Sequence, residues 1–124
     1  MSPPGRNFLS SLNHLLTPII YNLFPPLVGS AHNWIEHAAR ALSLGFNWLY
    51  LNPITYPGFS RSLYATKDYY RVNPAFLPDS AGHDSLQTLA PVIRSIADLG
   101  IHPMVDLVIN HTSIDSSLIH EHPS

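Results

Sequence analysis

The chain has 124 residues, room for one core and short for many enzyme folds. Charged residues supply 11% of it and hydrophobic residues 45%, against roughly 25% charged and 45–50% apolar in an ordinary soluble domain. A net charge of −2 without a basic cluster excludes the electrostatic footprint of a nucleic-acid binder, and the absence of cysteine excludes a disulfide framework and thiolate chemistry while suiting a reducing, cytoplasmic setting.

Phe8, Leu9, Leu12, Leu15 and Leu16 recur at helical spacing between Asn7 and Pro18, which predicts a leading helix over 7–17. Polar residues and Pro18 interrupt this segment, so no apolar run approaches the roughly 20 residues that span a bilayer. A first strand is expected near 19–24, bounded by Pro18 and by Pro25 and Pro26. From Ala31 to Leu44, Trp34, Ile35, Ala38, Ala41 and Leu42 share one helical face, His32, Asn33, Glu36, His37 and Arg40 take the other, and Gly45 supplies the left-handed cap. The run "FNWLYLNP" predicts a second strand over 46–52, and its lack of polar alternation predicts cover on both faces.

Residues 54–83 are rich in Pro, Gly, Ser and Tyr without a helical period and read as a long loop. Asp84 and Gln87 have capping-box spacing ahead of a helix using Leu86, Leu89, Ile93, Ile96 and Ala97, which Gly100 closes and Pro91 either kinks or begins. "IHPMVDLVIN" then predicts a third buried strand over 101–110. Short helices between apolar strands imply an α/β fold with a parallel sheet, in one domain over 1–124.

In such sheets, ligands bind where the strands end, because loops and unfilled backbone groups converge there. Asn52 ends the second strand; Tyr64, Lys67, Asp68, Tyr69 and Tyr70 follow in the loop; Asp106, Asn110 and His111 end the third. Asp106 is readable as a carboxylate satisfied by nearby donors, since an isolated buried charge is too costly. His111 is readable as an ordinary loop histidine, a hydroxyl partner or a metal ligand. The tyrosines could fill the loop or offer one ring face to a sugar. "HEH" at 120–122 could form half a metal site but sits at a polar tail. No phosphate loop, zinc-protease helix or nucleophile elbow is present in the sequence.

"VDLVINH" resembles the first conserved region of the α-amylase family, glycoside hydrolase family 13: Asp, two apolar residues, any residue, Asn, His, matched by Asp106, Asn110 and His111. Upstream, "SLYATKDYYRVNPAF" resembles the family's loop after the second strand, with Tyr64 and Asp68 four apart. "GFNWLYLNPITYPGFSRSLYA" and "NHTSIDSSLIHEHP" are closer to the branch of maltosyltransferases and debranching-type enzymes than to secreted amylases. Leu63 stands where many members have Gly, and Asp98 where a His is common.

The resemblance implies a fold class: the N-terminal portion, about three β/α units, of a TIM (β/α)8 barrel, whose full form takes about 250 residues. It implies that Tyr64 stacks on a sugar ring and that His111 bonds its 6-hydroxyl; Asn52, from its place at the end of the second strand, is expected to join them as a substrate contact. Asp68 and Asp106 would brace the site, and Asn110 would be a calcium ligand or structural; no other cofactor is expected. The implied partner is an α-glucan or maltooligosaccharide, with neither nucleic acid nor membrane. The family's retaining reaction flanks the bond with two carboxyl groups about 5–5.5 Å apart. In the family these end the fourth and fifth strands, with a stabilising Asp after the seventh. Glu36, Asp68, Asp79, Asp84, Asp98, Asp106, Asp115 and Glu121 match none of those motifs. The nucleophile and the acid are therefore expected to lie beyond Ser124, the last residue of the sequence. The expectation is a fragment of an α-glucan hydrolase or glycosyl transferase, inactive by itself and marginal, aggregation-prone or oligomeric. The alternatives are a non-catalytic carbohydrate-binding or regulatory remnant using Tyr64 and His111, and a metal-dependent hydrolase built on Asp106, His111 and the terminal histidines.

Overall fold

A computed structural model describes residues 17–121. The leading helix expected over 7–17 lies outside them apart from Thr17, as does His122 of the terminal "HEH". Ser124, beyond which the nucleophile and acid are expected, also lies outside the described residues, so the structure leaves that expectation untouched. The chain runs β1 (Ile20–Leu23), α1 (Pro25–Val28), α2 (His32–Ser43), β2 (Trp48–Leu51), β3 (Thr55–Pro57), β4 (Thr66–Val72), α3 (Ala90–Asp98), β5 (His102–Val105) and α4 (Leu118–Glu121), with 3-10 turns at Pro74–Phe76 and Leu86–Leu89. Among the described residues, no helix is long and apolar enough to cross a membrane.

β1, β2 and β5 form a parallel sheet in the order β1-β2-β5, as the alternation of strands and helices requires. The register pairs Asn22 with Tyr50 and Tyr50 with Met104, so these three share one face; Leu23, Leu51 and Val105 share the other. Leu23, Leu49 and Leu51 pack with Trp34, Ala38 and Ala41 of α2 and Val92 and Ile96 of α3 in one core. Trp34 donates from Nε1 to the Gly29 carbonyl at 3.2 Å and meets Phe76 edge-on at 5.9 Å. Both main helices stop before glycines at φ 98°, Gly45 and Gly100, where a side chain would be strained.

The structure departs from the sequence reading in four places. β2 is not covered on both faces by the described residues: Leu49 and Leu51 are buried while Trp48 and Tyr50 are half-buried, because the helices occupy one side only. Residues 54–83 are not a plain loop, since β3 and β4 pair antiparallel with irregular register. Arg71 of β4 stacks 4.0 Å over the Tyr56 ring and binds Asp84 at 2.6 Å, which lets a strand of mixed polarity pair stably. That ion pair also removes Asp84 from the expected capping box; Ser85 instead accepts from the Gln87 N–H, and Pro91 begins the regular helix.

The fourth departure is β5, which ends at Val105 and is half-buried to exposed instead of a buried strand reaching residue 110. His102 N and Asp106 N donate to the Asn47 and Leu51 carbonyls of the β2 segment. Alternation then turns Pro103 and Val105 to the outer edge, where a missing N–H costs no ladder bond. Past Asp106 the chain leaves the sheet because the hairpin captures it: Ser113 N donates to the Thr66 carbonyl at 2.8 Å, and Tyr69 Oη donates to the Val108 carbonyl at 2.7 Å.

Candidate functional site

The C-terminal ends of β1 and β2, with the first residue beyond β5, gather polar side chains on the sheet face away from the helices. Asn52, 9% exposed, sits just past β2. Its Nδ2 donates to Tyr64 Oη at 2.9 Å and its Oδ1 accepts from Asn22 Nδ2 at 2.8 Å. Asn22 also donates to the Tyr50 carbonyl at 3.2 Å. Tyr64, 43% exposed, thus stands over the strand ends with its hydroxyl tethered and part of its ring open. Two of the expected site residues, Asn52 and Tyr64, are therefore joined directly.

Asp106 is held from the same face. The Tyr50 hydroxyl faces its carboxylate, and hydrogen bonding to Asp106, followed by burial and the charge of Asp106, pushes the Tyr50 hydroxyl up from 10.0 to about 12. Asp106 thus has Tyr50 as its neighbour across the sheet.

The other expected residues are placed differently. Asp68 is on β4, where its Oδ1 accepts from the Tyr70 N–H at 2.8 Å, a local turn contact rather than a link to Asn52 or Tyr64. Asn110 and His111 lie on the loop after β5, not at the strand end; His111 Nδ1 is 3.1 Å from Asn110 Oδ1 and its ring is exposed. Tyr69 reaches this loop through its bond to Val108 and a longer one, 3.2 Å, to the His111 carbonyl. Among the described residues no hydrogen bond joins His111 to Asn52, Tyr64 or Asp106. Lys67 pairs with Asp115 at 3.3 Å, and the Asp115 carboxyl is lowered by the Ser113 hydroxyl first and by Lys67. Tyr70 is 82% exposed.

Asn110 Oδ1 faces His111 Nδ1, and among the described residues no group of three or more His, Cys, Asp or Glu converges on a point, whereas calcium takes six to eight oxygen ligands.

Asn22 and Tyr50 were missed by sequence reasoning. Asn22 carries the same signal as Asp106, a polar group inside an apolar run, in "IIYNLF". Tyr50 lies two residues before Asn52, hence on the same strand face.

Solved structures share this arrangement of elements. An α-amylase from Lactobacillus plantarum is 30% identical, with a TM-score of 0.72 over 92% of this chain and 27% of its own. A maltogenic α-amylase from Thermotoga neapolitana is 22% identical, with a TM-score of 0.71 over 86% and 26%. A trehalose-6-phosphate hydrolase from Bacillus licheniformis is 20% identical, with a TM-score of 0.68 over 84% and 19%. The chain thus spans about a fifth to a quarter of the length of these proteins and corresponds to part of their barrel. The parallel β1-β2-β5 sheet with α2 and α3 on one side is accordingly the N-terminal portion of a TIM (β/α)8 barrel, as the resemblance implied. A family model described as the glucanotransferase domain of glycogen debranching enzyme matches residues 17–124, nearly all of the sequence including both motifs, and the chain belongs to that family within the α-amylase group.

Proposed function

We propose that this chain supplies sugar contacts to an α-glucan-active barrel, in which glucan segments are transferred or hydrolysed with retention. The family description, a glucanotransferase domain, favours transfer and supports the debranching side of the branch suggested by the sequence; maltosyl transfer has no separate support. The observation that carries the reading is Tyr64, tethered through Asn52 at the strand ends with part of its ring exposed. A ring so held can stack on sugar C–H groups without losing rotamer freedom on binding. Asn52 is proposed as a substrate contact beside it, and His111 as a donor to a sugar hydroxyl from the exposed loop. Asp106 and Asp68 brace, through Tyr50 and Tyr70 respectively, and Asn110 orients His111.

The carboxylates are otherwise engaged where the structure describes their partners. Asp84 is bound by Arg71, which holds its carboxyl low. Asp115 is bound by Ser113 and Lys67, Asp106 by Tyr50 and Asp68 by Tyr70 N. Glu36, Asp79, Asp98 and Glu121, like these four, match no nucleophile or acid motif of the family, so we assign none of the eight to either role and propose that both groups lie beyond Ser124; the cysteine-free composition supports a cytoplasmic setting. Isothermal titration of the 124-residue chain with maltotriose and maltoheptaose is expected to show binding, with no reducing sugar released. Turnover by the purified, monodisperse chain would sink the assignment of the carboxylates; absence of any binding would sink the assignment of Tyr64.

A further inference from the structure

The direction of every hydrogen bond between β1 and Tyr64 is fixed by one backbone carbonyl. Asn22 Nδ2 lies 3.2 Å from the Tyr50 carbonyl oxygen and 2.8 Å from Asn52 Oδ1. A carbonyl only accepts, so the nitrogen edge of Asn22 must face it; the opposite orientation would set two acceptors against each other. With both Asn22 hydrogens directed at Tyr50 O and Asn52, Asn52 must present its oxygen to Asn22 and its nitrogen to Tyr64 Oη, 2.9 Å away. Tyr64 Oη therefore receives a hydrogen from Asn52, and its own hydrogen points elsewhere.

We infer that Asn22 is a positioning residue that fixes the Tyr64 hydroxyl as a hydrogen-bond donor toward the ligand, so that Tyr64 selects for a sugar oxygen acting as acceptor at that point. The inference rests on the proposal that Tyr64 contacts sugar. It assigns Asn22 a task that neither of the recognisable motifs contains. Packing alone would be served by many residues at this exposed position; polarity is served only by a group that donates to both the Tyr50 carbonyl and Asn52.

Asn22→Asp tests this with almost no change of shape. A carboxylate only accepts, so Asn52 turns over to donate to it, offers its oxygen to Tyr64, and the tyrosine hydrogen is drawn inward. In the full chain, Tyr64→Phe is expected to weaken maltotriose binding about fivefold, the worth of one hydrogen bond. Asn22→Asp is expected to match it, and the double variant to bind no more weakly than Tyr64→Phe. Asn22→Leu, which removes the donor without adding charge, is expected to weaken binding beside Tyr64 and to have no effect beside the phenylalanine. Equal losses from the Asn22 variants in both backgrounds would overturn the inference, since Asn22 would then act through something other than the tyrosine hydroxyl. Side-chain amide resonances provide the second arm, independent of sugar. The Asn52 NH2 signals should move in Tyr64→Phe and in Asn22→Asp, and immobility in both would overturn the relay. If the wild-type chain binds no maltotriose, the sugar reading fails, while the amide signals still decide whether Asn22 sets the hydrogen-bond direction.

Discussion

Tyr50 holds Asp106 across two neighbouring strands, and its chemistry makes the contact visible at high pH. A hydroxyl facing a carboxylate resists ionisation because its anion would meet the Asp106 charge at short range, and the folded-state value rises from 10.0 to about 12. The neutral form is the one that folding favours, so the stabilisation is fully present below pH 10 and disappears as pH climbs from there toward about 12. Tyr50→Phe is expected to cost about 1.5 kcal/mol at pH 7, a bond to a charged group plus the exposure of Asp106 to an apolar ring edge. In thermal melts, wild type and variant should converge as pH rises from 10 to about 12. Absorbance titration should show a late tyrosine ionisation that vanishes in Tyr50→Phe and falls to lower pH in Asp106→Asn. A stability difference that persists unchanged at about pH 12 would refute the Tyr50–Asp106 bond. At this scale the sequence was informative about Asp106 and silent about its partner. A carboxylate inside an apolar run demands a donor, but the donor comes from the adjacent strand in register with Met104, a pairing that only the sheet reveals.

The hairpin β3–β4 is the element that shapes the loop carrying Asn110 and His111. Thr66 and Lys67 offer carbonyls to Ser113 N and Ser116 Oγ at 2.8 Å each, and Tyr69 fastens Val108. Gly58, at the hairpin turn, lets the two segments close: a Cβ there would overlap Ser113 Oγ and Cβ and Asp115 Oδ1. Gly58→Ala is therefore expected to destabilise the chain by about 1–3 kcal/mol and to quicken amide exchange at Ser113 and Ser116 while leaving the α2–α3 core protected. Unchanged exchange at those two amides would show that the hairpin does not template the loop. The helices were legible because their apolar residues repeat with one period and end at Gly45 and Gly100. The hairpin was not, because Lys67, Asp68 and Arg71 make β4 look like solvated loop until Arg71 is seen stacked on Tyr56 and paired with Asp84. The same pair hid the true cap: Asp84 fits the capping pattern by spacing, yet a cation 13 residues upstream in the chain claims it. The sequence overextends β5 because "MVDLVIN" is apolar apart from Asp106 and Asn110; its end is set by hydrogen bonds to the hairpin, which no local pattern encodes.

At the scale of the molecule, the helices cover one face of a three-stranded sheet, and among the described residues nothing pairs with the outer edges of β1 or β5. Ile19 and Ile20 are about half exposed beside one edge, and Leu107 and Ile109 are 58% and 80% exposed beyond the other. With charged residues at only 11% of the sequence, little surface charge opposes association through these margins. Pro103 blunts part of the β5 edge by removing one outward donor, which leaves Val105 and the apolar residues after it as the sticky portion. A β1 edge meeting a β5 edge is a heterologous contact that does not close on itself, so association by this route should be open-ended rather than stop at a dimer. Sedimentation velocity of the 124-residue chain is expected to show a weight-average mass that keeps rising with concentration. Leu107→Lys together with Ile109→Glu should move the chain toward monomer with little loss of fold, because both side chains are already exposed and lie outside the α2–α3 core. A monomer at all concentrations would mean that the sheet margins are protected in solution. A discrete dimer untouched by the double variant would locate association on another surface, with the half-exposed sheet face bearing Trp48 and Tyr50 the next to test.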